Sequence, residues 1–192
     1  MKIIKNLLLV AFFAINPLTV AAPANSEAEA KAHVERLSNE TLRLIQSGKF
    51  DTEASAVKTF SSLFDKSFHL PYMVGFVLSR AARGKSREQI QRFSKAFRRK
   101  IINSYATRFS EYKGATSKII NVSKSGKDKY KVKSKIVKNK EYNVVWTVKF
   151  YKGSPKIVAV AVEGVDLAYS YRTQYQNIIK QSGFDGLLNR IG

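Results

Sequence analysis

Gly114 divides the chain into two kinds of hydrophobic period, and this division limits the possible folds more than any other feature. Before it, apolar residues recur every three or four positions: Val34, Leu37, Leu44 and Ile45 within 27–46, then Ala56, Val57, Phe60, Leu63 and Phe64 within 52–66. That spacing gathers them on one side of a helix. After it they alternate, as Tyr142, Val144, Trp146, Val148 and Phe150 do. A period of two belongs to strands. Helices followed by strands, with no repeat, low-complexity linker or domain boundary, specify an α+β chain rather than an alternating α/β one.

The local signals agree with this order. Gly48 closes the first helix. Pro71 suits the first turn of a third, 72–83, whose Met73, Val74, Phe76, Val77 and Leu78 leave little polar surface and predict burial. Ser86-Arg87-Glu88-Gln89 is a capping box that opens the longest helix, 87–112. Ile90, Phe93, Phe97, Ile101, Tyr105, Phe109 and Tyr112 run along one face of it. Strands are predicted over 118–123, 129–137, 142–151 and 157–162, joined by short turns at 125–128, 138–140 and 152–155, hence an antiparallel meander. The last strand has Val158, Val160 and Val162 on one face and Ile157, Ala159 and Ala161 on the other, so both faces are expected to be covered. Glu163-Gly164 ends it, and Asp166 is placed to cap a helix carrying Leu167, Tyr171, Tyr175, Ile178 and Ile179. Gly183 ends that helix, and 184–188 opens a last short one.

Met1 to Lys5 is a short basic segment, Asn6 to Ile15 is mostly apolar, and Ala21-Ala22-Pro23-Ala24 supplies small residues. Residues 1–24 therefore read as a cleavable signal peptide and 25–192 as one exported domain. There is no cysteine, so the mature chain relies on its core. The net charge of +20 falls to about +18 once Lys2 and Lys5 are removed. Such a charge ordinarily points to nucleic acid, but export argues against that partner. The remaining polyanions are membrane surfaces, anionic lipid, lipopolysaccharide and acidic proteins. Thirteen lysines lie between Lys113 and Lys156 against Asp128 and Glu141, and Lys131, Lys133 and Lys135 project from one strand face. That face is either a solvated one whose lysines deter edge pairing, or a surface for anionic membrane or an acidic partner. The two histidines, His33 and His69, form no metal-ligand pair, and there is neither a Gly-rich phosphate loop nor a nucleophile elbow. No enzyme, metal or cofactor is expected.

Three groups of residues carry a resemblance to a known family. They are Glu163-Gly164-Val165-Asp166-Leu167, Tyr171-Arg172-Thr173-Gln174-Tyr175 and Ser182-Gly183-Phe184-Asp185-Gly186-Leu187. In this order they resemble the C-terminal signature of the MlaC family, the toluene-tolerance proteins, which are periplasmic phospholipid-binding components of a Gram-negative lipid transport system. Leu78-Ser79-Arg80 and Gln91-Arg92-Phe93 occupy the places of the family's Leu-Gly-Arg step and Gln-Arg-Phe helix. The resemblance implies a curved antiparallel sheet of about four strands, wrapped by N-terminal and C-terminal helices and enclosing an apolar cavity. It implies a monomeric shuttle that carries phospholipid between an outer-membrane lipoprotein complex and the substrate-binding ring of an inner-membrane ABC transporter, with transient contact on anionic membrane. A carrier of another lipid such as a hopanoid, or a basic module docking on anionic membrane without enclosing lipid, are the alternatives.

The chain has twelve Phe, nine Tyr and one Trp. An aromatic stripe is ordinarily core, and spacing alone does not separate a filled core from one with a lipid-sized hole. Given the resemblance, the cavity-lining candidates are Val144, Trp146 and Val148 on the sheet, Phe76, Phe97, Ile101 and Tyr105 on the facing helices, then Tyr171 and Tyr175. Arg80, Arg83 and Arg172 are candidates for a head-group phosphate at the mouth, set against the ordinary reading of solvated surface arginines. Lys131, Lys133 and Lys135 complete the contact set.

Overall fold

The computed structural model describes residues 26–192. The signal-peptide reading of 1–24 lies outside the described residues. Four helices precede the sheet: α1 Glu27–Gln46, α2 Glu53–Ser67, α3 Leu70–Leu78 and α4 Arg87–Tyr105. Strands β1 Thr116–Gly126, β2 Lys129–Val137, β3 Glu141–Tyr151, β4 Ser154–Val162 and β5 Val165–Asp166 form one antiparallel sheet in chain order. Helix α5, Leu167–Ile191, then returns against α3, α4 and β4. The expected α+β architecture is present, with the two-residue β5 as a fifth strand.

Each helix starts where a side chain accepts a free backbone N–H. Ser26, Thr52, Ser86 and Asp166 do so with oxygens, and His69 with Nδ1 toward the Tyr72 amide at 3.0 Å. The box at Ser86 closes in both directions with Gln89. Two helices end earlier than their periodicity predicts. The third stops at Leu78 and continues as a 3-10 turn, Ser79–Ala82; α4 stops at Tyr105 and continues as a 3-10 turn, Ala106–Tyr112. Ser79 has φ +49° and ψ −124°, a conformation glycine adopts far more easily. The family's Leu-Gly-Arg step thus matches a backbone demand, which Ser79 meets while accepting a hydrogen bond from Arg172 at 3.1 Å. At Gly183 φ is +71° and ψ −179°, so α5 is two helical segments meeting at that residue, as expected.

The sheet turns are tight. Lys152-Gly153 and Glu163-Gly164 have positive φ at both residues and connect strands paired immediately on either side. Such turns match the strand twist. The pairing of β3 with β4 slips between Thr147 and Val148, leaving Val158 as an extra residue on β4. Strict alternation therefore fails there. Ile157 pairs with Val148 and Val160 with Trp146, so Ile157 and Val160 share a face that simple alternation would have separated.

Candidate functional site

Between the helices and the sheet lies a cavity of about 370 Å³. The helices supply Leu37, Ile45, Phe60, Phe64, Met73 and Ile101 to its wall, and the strands supply Ile136, Val144, Trp146, Val160 and Val162. Tyr105, Phe109 and Tyr112 come from the end of α4 and the turn after it, and Leu167, Ala168 and Tyr171 from the start of α5. The volume lies within the range of about 300–1,000 Å³ usual for small-molecule sites. One water needs only about 10–15 Å³ by this kind of measure, so the space is many waters large, yet its wall is almost entirely apolar. Two of the few wall polar groups are held by hydrogen bonds: Thr41 donates to the Leu37 carbonyl at 2.7 Å, and the Trp146 indole N–H donates to Ser134 Oγ at 2.9 Å. The second bond crosses from β3 to β2 and holds the indole against the sheet.

Five of the nine candidates, Ile101, Tyr105, Val144, Trp146 and Tyr171, line this space. The other four do not, and on α4, β3 and α5 the reason is the same: one end is packed and the other is hollow. Along α4, Phe93 and Phe97 stack at 5.6 Å and meet Tyr175 edge-on at 5.8 and 5.9 Å, with Phe184 at 6.3 Å from Phe93. That half of the stripe is filled core, while Ile101 and Tyr105, one and two turns on, reach the cavity. Along β3, Val144 and Trp146 face the cavity, but Val148 is fully buried and Phe150 packs edge-on against Tyr130 at 5.8 Å. Phe76 lies under the Arg172 guanidinium at 5.1 Å, away from the cavity wall.

Burial holds the Tyr105 phenol far above its ordinary pKa, with Tyr171 beside it adding to the shift. Tyr175 is raised in the same way, first by burial and then by Tyr171 and Tyr105. Both phenols stay neutral; Tyr105 serves as apolar wall with a polar tip, whereas Tyr175 belongs to the packed core beside Phe93 and Phe97.

The arginine candidates are not cavity residues. Arg172 and its neighbour Gln176 face α3: Gln176 donates to the carbonyls of Val77 and Leu78 at 3.1 and 2.7 Å. Gln176 thus satisfies the open end of α3, where carbonyls lack helical partners, while Arg172 donates to the Ser79 hydroxyl beside it. Arg80 and Arg83 are exposed, at the 3-10 turn after α3. Among the described residues, the cation that does line the cavity is Arg108, in the turn 106–112, which the continuous-helix reading left off the apolar stripe. Lys131 and Lys133 are exposed on the outer sheet face; Lys135 pairs with Glu141 at 2.6 Å. His33 bonds the Ser67 carbonyl at 3.3 Å, and burial chiefly lowers its pKa, so it ties α1 to the end of α2 as a neutral ring. Among the described residues, no group of three or more His, Cys, Asp or Glu is placed to hold a metal ion.

A scan of protein families matches residues 35–192 to "MlaC protein". The chain belongs to the MlaC family. A search of curated proteins finds no match. Among solved structures, the chain is similar to a phospholipid-binding protein from Ralstonia solanacearum, determined in complex with a phospholipid. The two share 19% identity and a TM-score of 0.76 over 85% of this chain and 94% of the other. At that identity the similarity speaks for the fold, and it agrees with the sheet and helix arrangement above.

Proposed function

We propose that this protein is a periplasmic carrier of phospholipid that holds both acyl chains in the cavity between α1, α2, α4 and the sheet. The observation that carries the reading is the apolar wall around about 370 Å³ of space. Membership of the MlaC family and the phospholipid complex of the Ralstonia solanacearum protein support it. Two acyl chains contain about 30 methylenes, each worth roughly 0.8 kcal/mol when removed from water. The gross gain of about 24 kcal/mol exceeds what non-covalent complexes retain, so ordering costs absorb much of it. An unspecific apolar wall is enough for affinity. By family analogy the carrier exchanges lipid with an outer-membrane lipoprotein complex and with the substrate-binding ring of an inner-membrane ABC transporter. Among the described residues, no helix is long and apolar enough to cross a membrane.

Protein purified from cells should carry about one phospholipid per monomer. Native mass spectrometry before and after solvent extraction measures it. Repeated absence of lipid, together with no uptake from vesicles, would remove the carrier reading. Lipid identified as hopanoid would keep the carrier and change its cargo.

The exposed lysines of β2 are assigned to encounter with anionic surfaces rather than to lipid affinity. Exposed charges act over about 8 Å at physiological ionic strength. Lys131→Gln with Lys133→Gln should therefore slow transfer between anionic donor and acceptor vesicles severalfold at low salt and hardly at all at high salt. A transfer rate that ignores both salt and substitution speaks against this role.

A further inference from the structure

Arg108 is the one charged side chain lining the cavity among the described residues. It is exposed, which puts it at the mouth rather than in the apolar interior, and it has no ion-pair partner among the described residues. Its charge is felt by the two cavity phenols that bracket it in sequence, Tyr105 and Tyr112. Tyr112 packs edge-on against Tyr142 at 6.0 Å, and Lys140 Nζ sits 4.7 Å above the Tyr142 ring. Lys138 Nζ donates to the Glu111 carbonyl at 2.7 Å. The turn between β2 and β3 is thereby folded onto the rim where Arg108 stands. The Glu141 carboxylate is taken by Lys135, so Glu111 is the nearby acid set against three cations.

Resting on the carrier reading, we infer that Arg108, Lys138 and Lys140 form a head-group rim that selects a lipid of net negative charge over a zwitterionic lipid with the same tails. Both head groups bring a phosphate diester that a guanidinium fork can hold with two hydrogen bonds. A zwitterionic head group also brings an ammonium, which the two lysines repel. The apolar wall is indifferent to this difference, so the rim alone sets the preference. Solvent screening keeps the effect modest, on the order of fivefold.

The test uses delipidated protein incubated with vesicles holding equal amounts of phosphatidylglycerol and phosphatidylethanolamine with identical acyl chains. Native mass spectrometry then reads the ratio of the two bound lipids, which is independent of total uptake. The wild type should be enriched about fivefold in phosphatidylglycerol at low salt. Arg108→Gln, and separately Lys138→Gln with Lys140→Gln, should move the ratio toward that of the vesicles. A wild-type ratio equal to that of the vesicles, or an enrichment unchanged in both variants, overturns the inference while leaving the carrier intact. Wild type that takes up neither lipid overturns the carrier reading itself. Inorganic phosphate without vesicles is the remaining arm. Saturable phosphate binding lost in Arg108→Gln, beside an unselective lipid ratio, would make the rim a free-anion site and overturn head-group selection.

Discussion

Val160→Glu should give a protein that folds and melts cooperatively but emerges without phospholipid. Val160 is half-buried on β4, pairs with Trp146 and faces the cavity. A carboxylate introduced there points into space, not into packed neighbours. When lipid is absent, water can enter and solvate the charge, so the fold tolerates it. When tails occupy the space, the same charge is held against hydrocarbon. Charged groups amid hydrocarbon cost about 3 kcal/mol or more, which lowers lipid affinity about 100-fold. Bound lipid by native mass spectrometry and the thermal melt by circular dichroism check the two halves. A folded variant with full lipid content would place the acyl chains elsewhere.

Val148→Glu, two residues along β3 from Trp146, should behave oppositely and fail to fold. Val148 has no exposed surface, and its inward neighbours are packed side chains. No vacated space admits water there, so the charge is uncompensated. The expected cost is above about 4 kcal/mol, against a total stability of about 5–15 kcal/mol for a domain of ordinary size. Soluble yield and the melt measure it. A well-folded, lipid-free variant would extend the cavity to this end of the strand. Together the two substitutions map where the interior changes from hollow to filled.

That boundary is the part of the site hidden in the sequence. Phe93, Phe97, Ile101 and Tyr105 follow one helical rule, four residues apart, and nothing in their spacing marks the change between Phe97 and Ile101. It is made by what faces them. Tyr175 and Phe184 of α5 fill the space beside the first two, whereas the later ones line the cavity with Ile136, Val144 and Trp146 of the sheet. The same holds for Arg172 and Arg108. Both are arginines near aromatic residues, and only the docking of α5 on the end of α3 sends one to the Ser79 hydroxyl, while the turn after α4 brings the other to the mouth. A weak local signal existed for Arg108. The apolar stripe of the helix predicted over 87–112 includes Tyr105, Phe109 and Tyr112, and the tightening to a 3-10 turn after Tyr105 turns the intervening Arg108 toward that stripe.

Local chemistry determined the elements themselves. Periods of 3.6 and 2, the capping box at Ser86, the cap at Asp166 and the turns at Lys152-Gly153 and Glu163-Gly164 depend on neighbours within a few residues, so the chain alone specifies them. The C-terminal residues around Asp166, Arg172 and Gly183 likewise carried the family, which the match over 35–192 shows. Only the tertiary structure decided where the apolar interior is solid and where it is empty. Burial free energy rewards covering an apolar side chain whatever covers it, so residues that line a cavity and residues that fill a core are written in the same alphabet.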